Sequence, residues 1–212
     1  MTKTTTARKV LTRSGRRVRY LYPSRKNRAR VQCESRLEFD AAMHFEFSKD
    51  IKRYREQPMR VTYRDRDGKV RIYFPDFELT MTDGTIVHIE IKPSAKLRGA
   101  VLRARMEDIA EHYARLGLPF RIMTEQDFRT GTRISMLEHL TYHNRQLPSG
   151  FRLSELLGHL ATRRPLNFAA ACSIAGSPQM VMRLLAAGYL VFDESQRLGD
   201  STLLQVRVEG HA

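Results

Sequence analysis

Cysteine is scarce in this chain. Cys33 and Cys172 are its only two in 212 residues, and neither has a CxxC or Cys/His neighbour at ligand spacing. That excludes a disulfide framework and a cysteine-ligated zinc site, and it fits a reducing compartment. Long apolar runs are missing too. No segment approaches the roughly 20 apolar residues of a membrane-crossing helix, and the N-terminus lacks the apolar core of a secretory signal. The expected setting is the cytoplasm, with no membrane partner. The third absence is local: residues 1–30 contain no acid at all, yet hold eleven Lys or Arg.

What is present starts from that asymmetry. The formal net charge is +14, while residues 31–130 carry 18 basic and 17 acidic side chains and residues 131–212 carry 8 and 6. Almost the whole excess is therefore an N-terminal arm. A basic arm without counter-charges cannot pack on itself, and it is drawn to polyanions through counterion release. Arginine predominates, and its planar fork matches phosphate better than an ammonium does. Arg13, Arg16, Arg17, Arg19, Arg25, Lys26, Arg28 and Arg30 are the candidate nucleic-acid contacts. The alternative is a solubilising tail. A short strand is expected within the arm near Val18–Tyr22.

The hydrophobic content of 42% is that of a globular chain, long enough for one large or two small domains. Leu37, Ala41 and Phe45 recur at helical spacing, which predicts an amphipathic helix over about 34–45. Glu38 lies beside that apolar stripe, where a Glu either reaches to solvent or faces a site, whereas Asp40 is expected to point away from it. Residues 51–57 read as a connector, and Pro58 disfavours helix at Gln57. Met59–Tyr63 and Lys69–Phe74 read as strands around the turn Asp65-Arg66-Asp67-Gly68. A second hairpin follows, Phe74–Met81 and Thr85–Lys92 about Asp83-Gly84, a turn pair that tolerates positive φ. Pro93-Ser94 then opens a long helix, Ala95–Leu116, which Gly117 ends before a short strand, Leu118–Met123, and the polar Thr124–Asp127. Helix, meandering strands, helix and strand make an α/β unit with a mixed sheet.

The second hairpin carries the chemistry. Strand side chains alternate, so His88, Glu90 and Lys92 share one face while Val87, Ile89 and Ile91 take the other, core-facing one. Asp76, after Pro75 on the partner strand, reaches the Glu90 face in the right register. Two adjacent carboxylates form a hard oxygen site suited to Mg²⁺, and a neighbouring Lys can orient or help deprotonate a metal-bound water, or neutralise charge on a phosphate under attack. The plainer reading is a cross-strand salt bridge on a solvated face. His88 is read as incidental on an exposed strand.

A helical Glu, Pro-Asp on one strand and Glu-x-Lys on the next resemble the restriction-endonuclease-like, PD-(D/E)xK nuclease core. More narrowly, Glu34-Ser35-x-Leu37-Glu38, Tyr54-x-x-Gln57-Pro58, Tyr73-x-Pro75-Asp76-Phe77 and Glu90-Ile91-Lys92 resemble the N-terminal domain of TnsA, the endonuclease subunit of heteromeric transposases of bacterial mobile elements. The resemblance spans about residues 20–127. It implies metal ligands at Asp76 and Glu90, a catalytic Lys92, and a further acidic group at Glu38, for which Glu34 is a rival. It also implies phosphodiester hydrolysis with Mg²⁺, for which Mn²⁺ may substitute. The Ile91 carbonyl, between the two polar residues, is a further candidate ligand. Some relatives have Gln where this chain has Glu90, so Glu90 brings it nearer the general nuclease pattern. Gln57 is read as structural support.

Residues 131–212 read as a second, smaller and mostly helical domain. Helices are expected over 133–144, 153–161, 168–175 and 179–187, with a break at Pro148-Ser149-Gly150, Asn167 as a cap and Pro178 at a helix start. A ribbon of 189–192 and 202–208 would complete a winged helix. The expected recognition helix offers only Arg183 and Gln179 as polar readers, so protein contact competes with DNA contact. The domain plan is thus a basic arm (1–30), a nuclease domain (31–130) and a C-terminal partner or DNA-binding domain (131–212). The leading functional expectation is a Mg²⁺-dependent endonuclease subunit that nicks the 5′ strand at double-stranded transposon ends. Its partners by resemblance are a DDE-type transposase and an AAA+ regulator, in a bacterial cytoplasm at the nucleoid. The alternatives are an autonomous restriction or repair nuclease and a non-catalytic DNA-binding adaptor.

Overall fold

The computed structural model describes residues 19–144, 147, 152–193 and 196–207. The chain divides into two units, 1–128 and 129–212. Arg13, Arg16, Arg17, Val18, the Pro148-Ser149-Gly150 break and the Val208 end of the expected ribbon lie outside the described residues.

Ordered pairing is already present at Tyr20, inside the stretch expected as an arm. Strand β1 (Tyr20–Ser24) runs antiparallel to β2 (Ala29–Cys33), with Tyr22 opposite Val31 and both buried. Helix α1 (Arg36–Phe47) follows directly. Its first turn is a capping box: Ser35 Oγ accepts from the Glu38 N–H at 3.1 Å, and the Glu38 carboxylate accepts from the Glu34 N–H at 2.8 Å and the Ser35 hydroxyl at 2.9 Å. Leu37, Ala41 and Phe45 form the expected buried stripe. Asp40 does not point to solvent as expected. It is 2% exposed, because the β1–β2 hairpin covers that side of α1 through Phe39 against Tyr20 and Tyr22, and Arg36 Nε holds its carboxylate at 2.7 Å.

Residues 51–57 are not a connector. Strand β3 (Ile51–Glu56) pairs with a later strand across a register shift between Ile51 and Arg53. That bulge interrupts the alternation by which a strand is recognised. Strands β4 (Val61–Arg64) and β5 (Val70–Tyr73) form a separate hairpin about Gly68, whose φ of 76° suits the turn. Strands β6 (Phe77–Met81) and β7 (Ile86–Ile91) form the second hairpin. The expected long helix is two: a single turn, α2 (Ser94–Leu97), then α3 (Ala100–Arg115), with Gly99 between them. Strand β8 (Phe120–Met123) and a short α4 (Glu125–Phe128) close the unit.

The central sheet has the order β3-β6-β7-β8, antiparallel except for the parallel β7–β8 pair. One face packs on α1, where Phe45 meets Tyr54 and Phe77 edge-on. The other is covered by α3 and the β4–β5 hairpin, which share a core of Val61, Tyr63, Tyr73, Met106, Ile109 and Tyr113. A mixed sheet with helices on both faces is the expected α/β architecture. Both faces of β7 are therefore covered, which disfavours the plainer reading of a salt bridge on a solvated face.

In the second unit, α5 (Arg133–His143), α6 (Leu153–Thr162), α7 (Phe168–Ala175) and α8 (Pro178–Ala186) precede a ribbon of β9 (Leu190–Val191) and β10 (Gln205–Val206). Asn167 caps α7 through the Ala170 N–H, and Ser177 caps α8 through the Met180 N–H. Gly176, at φ 79°, makes the turn between the two. The ribbon is shorter than expected, two residue pairs, with one further bridge from Leu203 to Asn167. Val181, Leu184 and Leu185 of α8 are buried, which leaves Gln179 as its exposed polar residue with Arg183 half-buried. Among the described residues, no helix is long and apolar enough to cross a membrane.

Candidate active site

Register brings the site together. Phe77 of β6 stands opposite Ile89 of β7, so the preceding residue, Asp76, falls beside Glu90. Asp76 Oδ2 accepts the Ile91 N–H at 2.8 Å, which fixes the carboxylate against the β7 main chain. Lys92 Nζ lies 3.5 Å from Asp76 Oδ2 and 3.1 Å from the Ile91 carbonyl oxygen, and it also pairs with Glu90 Oε1. Three oxygens, from Asp76, Glu90 and Ile91, thus converge on one cationic atom. Asp76 and Lys92 keep some exposure, 19% and 26% of their side chains, while Glu90 keeps 5%. The approach from solvent is over the first two.

Glu90 is held from the opposite side by Tyr73, the last residue of β5, whose hydroxyl donates to Glu90 Oε2 at 2.5 Å. Tyr73 is not among the site residues expected from sequence, although it opens the motif Tyr73-x-Pro75-Asp76-Phe77. What hides it is that its contact crosses from a separate hairpin. His88 likewise is not incidental on an exposed strand. It is 5% exposed, packs edge-on against Tyr113 of α3, and lies 3.3 Å from Glu78 Oε2. It faces α3, and its hydrogen-bond partner is Glu78 rather than the Asp76–Glu90 pair.

The electrostatics follow from burial and crowding. Burial, reinforced by the Glu90 charge, raises the Asp76 pKa well above the ordinary carboxylate range, against the opposing pull of Lys92. Burial alone would lower Lys92, but the Asp76 and Glu90 carboxylates outweigh it and raise its pKa, so the side chain stays an ammonium. Burial also raises Glu38, opposed by its bonds from the Glu34 N–H and Ser35. Glu38 is within electrostatic reach of Lys92 and Asp76, but both its oxygens serve the helix cap. Its rival Glu34 accepts from Gln57 Nε2 at 3.1 Å, and the Gln57 N–H donates to the Asp76 carbonyl at 2.9 Å. Gln57 is thus tied to both groups, as support of the site requires.

Among the described residues, no group of three or more His, Cys, Asp or Glu side chains is placed to hold a metal ion. The oxygens at hand are two carboxylates and one main-chain carbonyl, gathered around a cation that the lysine itself supplies. This donor set fits Mg²⁺, which keeps several waters and takes one or two carboxylates from protein.

The expected phosphate contacts divide. Arg25, Arg28 and Arg30 are exposed on the β1–β2 hairpin, and Arg19 is half-buried. Lys26 turns inward. Its Nζ donates to the Phe45 and Ile51 carbonyls at 2.9 and 2.6 Å and to that of Ser48, closing the C-terminal end of α1. Burial lowers its pKa to about 8, against the charges of Glu46 and Asp50. Its ammonium is engaged within the fold.

The mixed sheet, its flanking helices and the Asp76, Glu90, Lys92 constellation place the first unit in the restriction-endonuclease-like class. Residues 48–125, a part of the first unit, match the family model described as TnsA-like endonuclease N terminal. The matched span contains Gln57, Tyr73, Asp76, Glu90 and Lys92, and it begins after Glu38. A comparison with curated proteins finds no match.

Proposed function

We propose that the chain is the endonuclease subunit of a heteromeric bacterial transposase, hydrolysing one phosphodiester on the 5′ strand at each transposon end. The observation that supports this most is the convergence of the Asp76, Glu90 and Ile91 oxygens on one cationic atom, the Lys92 ammonium. In this reading Asp76, Glu90 and the Ile91 carbonyl hold Mg²⁺, or Mn²⁺ in its place. The ion, when bound, polarises the scissile phosphate and makes water a stronger nucleophile.

The chain's own groups do the rest. The Ile91 N–H and the Tyr73 hydroxyl set the two carboxylates in place before substrate arrives, which is the purpose of partners behind a ligand. Lys92, held as an ammonium by its carboxylate neighbours, supplies a positive charge to the phosphate. Glu38 orders the first turn of α1 beside the site and adds negative potential to it. Tyr73→Phe should fold normally and bind Mn²⁺ about 10- to 100-fold more weakly, as loss of an outer-shell bond does. Titration calorimetry on the chelator-washed protein checks this, and unchanged affinity would remove Tyr73 from the site.

Duplex DNA is the proposed substrate, met first by the basic N-terminal residues. Residues 1–18 hold six Lys or Arg and no acid. If all six lie along phosphates, deleting them should flatten log K against log[salt] by about five units. An unchanged slope would make them a solubilising tail. For the second unit we propose a winged helix that meets the transposase or the AAA+ regulator. Support comes from α8, whose residues are mostly buried and which offers little to read bases with.

Sequence recognition then has to come from a partner. The test is a nicking assay on a transposon-end duplex and on unrelated duplexes, with and without the neighbouring transposase. Specific nicking should need the transposase, on the strand that the transposase leaves intact. Efficient cutting at one defined sequence by this chain alone would replace the subunit reading with an autonomous nuclease.

A further inference from the structure

Gln57 stands out among the buried polar residues. It is 8% exposed, lies between the end of β3 and Pro58, and adopts φ 38°, a left-handed conformation that a side chain with a Cβ rarely takes. Its N–H holds the Asp76 carbonyl at 2.9 Å, and its Nε2 donates to Glu34 Oε1 at 3.1 Å. Its remaining polar atom, Oε1, is buried and has no hydrogen-bond partner among the described residues. The amide's orientation follows from its neighbour: turning Oε1 toward the Glu34 carboxylate would set two acceptors against each other. A buried free acceptor and a left-handed non-glycine backbone in one residue are two features that a purely structural role selects against, and they persist where a site needs them.

We propose that Gln57 is a positioning residue of the Asp76 site, its side-chain carbonyl accepting a hydrogen bond from a water of the bound cation. The assignment rests on the nuclease reading above, and it goes beyond support of the fold. Glu34 orients the amide, the backbone bond sets its place relative to Asp76, and the carbonyl is left as the acceptor. An ion held by only two carboxylates and one carbonyl keeps several waters, and outer acceptors for those waters decide how firmly it is held.

Two variants separate this from a structural role. Gln57→Met keeps the shape and removes the carbonyl, while Gln57→Gly accepts the positive φ and keeps the backbone bond to Asp76. Mn²⁺ affinity is read by titration calorimetry, and thermal stability is read in chelator. Both variants should bind Mn²⁺ about tenfold more weakly, as loss of an outer-shell partner does, and Gln57→Gly should melt no lower than the unaltered chain. Unchanged Mn²⁺ affinity in Gln57→Gly would overturn the proposal and return Gln57 to structural support. Absence of Mn²⁺ binding by the unaltered chain would be a different failure, overturning the metal-site reading and this assignment with it.

Discussion

Asp76→Asn should give a chain that folds, melts higher than the parent in chelator, and no longer cuts DNA. The stability gain follows from linkage. Asp76 has its folded-state pKa raised by burial and by Glu90, so the native state binds the proton more tightly than the unfolded chain does. The contribution of this group is fully present below the unfolded value, about pH 4, and is lost as pH rises through the raised folded value. At neutral pH the unfolded chain carries this carboxylate ionised, so folding has to take up a proton at Asp76, and Asn removes that cost. The Asn carbonyl can still accept the Ile91 N–H, and Lys92 keeps its pairing with Glu90.

Activity moves the other way. Loss of one of two carboxylate ligands should lower cutting by at least about 10³-fold, or about 4 kcal/mol of barrier. Glu90→Gln and Lys92→Ala should do the same, without loss of DNA binding in chelator. Full cutting by Asp76→Asn would end the assignment. A variant that is inactive and also melts well below the parent would point to a salt bridge that merely holds β6 to β7.

The site was legible in sequence because it is local. Asp83-Gly84 fixes one register for the hairpin, and alternation along β7 then puts Glu90 and Lys92 on one face with Asp76 across from them. The capping box was equally local, since Ser35-x-x-Glu38 is its pattern, yet Glu38 was weighed only as a solvated side chain or one facing a site. What escaped depends on contacts distant in sequence. The Tyr73 bond to Glu90 requires knowing where the β4–β5 hairpin lies, and His88 is buried only because α3 covers that face. A bulge disguised β3 as a connector. Asp40 looked solvated because α1 was judged by its own periodicity, without the hairpin packed on its other side. That same hairpin is why a charge count drew the arm too long. Eleven cations before residue 31 look uniform, but Lys26 serves the end of α1.

Glu46→Ala should be the most destabilising single change in the first unit outside its apolar core. Glu46 is 4% exposed near the end of α1, and its carboxylate takes four donors from two directions. Oε2 accepts from the Ser24 hydroxyl at 2.7 Å and the Tyr54 hydroxyl at 2.9 Å, and Oε1 from the Arg25 and Lys26 N–H groups at 2.8 and 3.2 Å. One side chain thereby joins the β1–β2 hairpin, α1 and β3. Alanine leaves the four donors facing a cavity, and the loss expected of a buried charged hub is about 4 kcal/mol, a large part of the roughly 5–15 kcal/mol that holds a domain together. Lys26→Met should lose less, because Met retains the apolar stem of the side chain. Urea unfolding of both variants provides the comparison. A midpoint for Glu46→Ala within about 1 kcal/mol of the parent would mean that the hairpin is a loosely held appendage. The consequence reaches the site, since β2 leads from Cys33 straight into Glu34 and the Ser35–Glu38 cap, and the Gln32 N–H bonds Glu56 of β3 at 3.2 Å. A chain that frees the hairpin also frees Glu34, and with it the anchor of the Gln57 amide, so Mn²⁺ affinity should fall together with the unfolding midpoint although Glu46 is not among the groups around the ion.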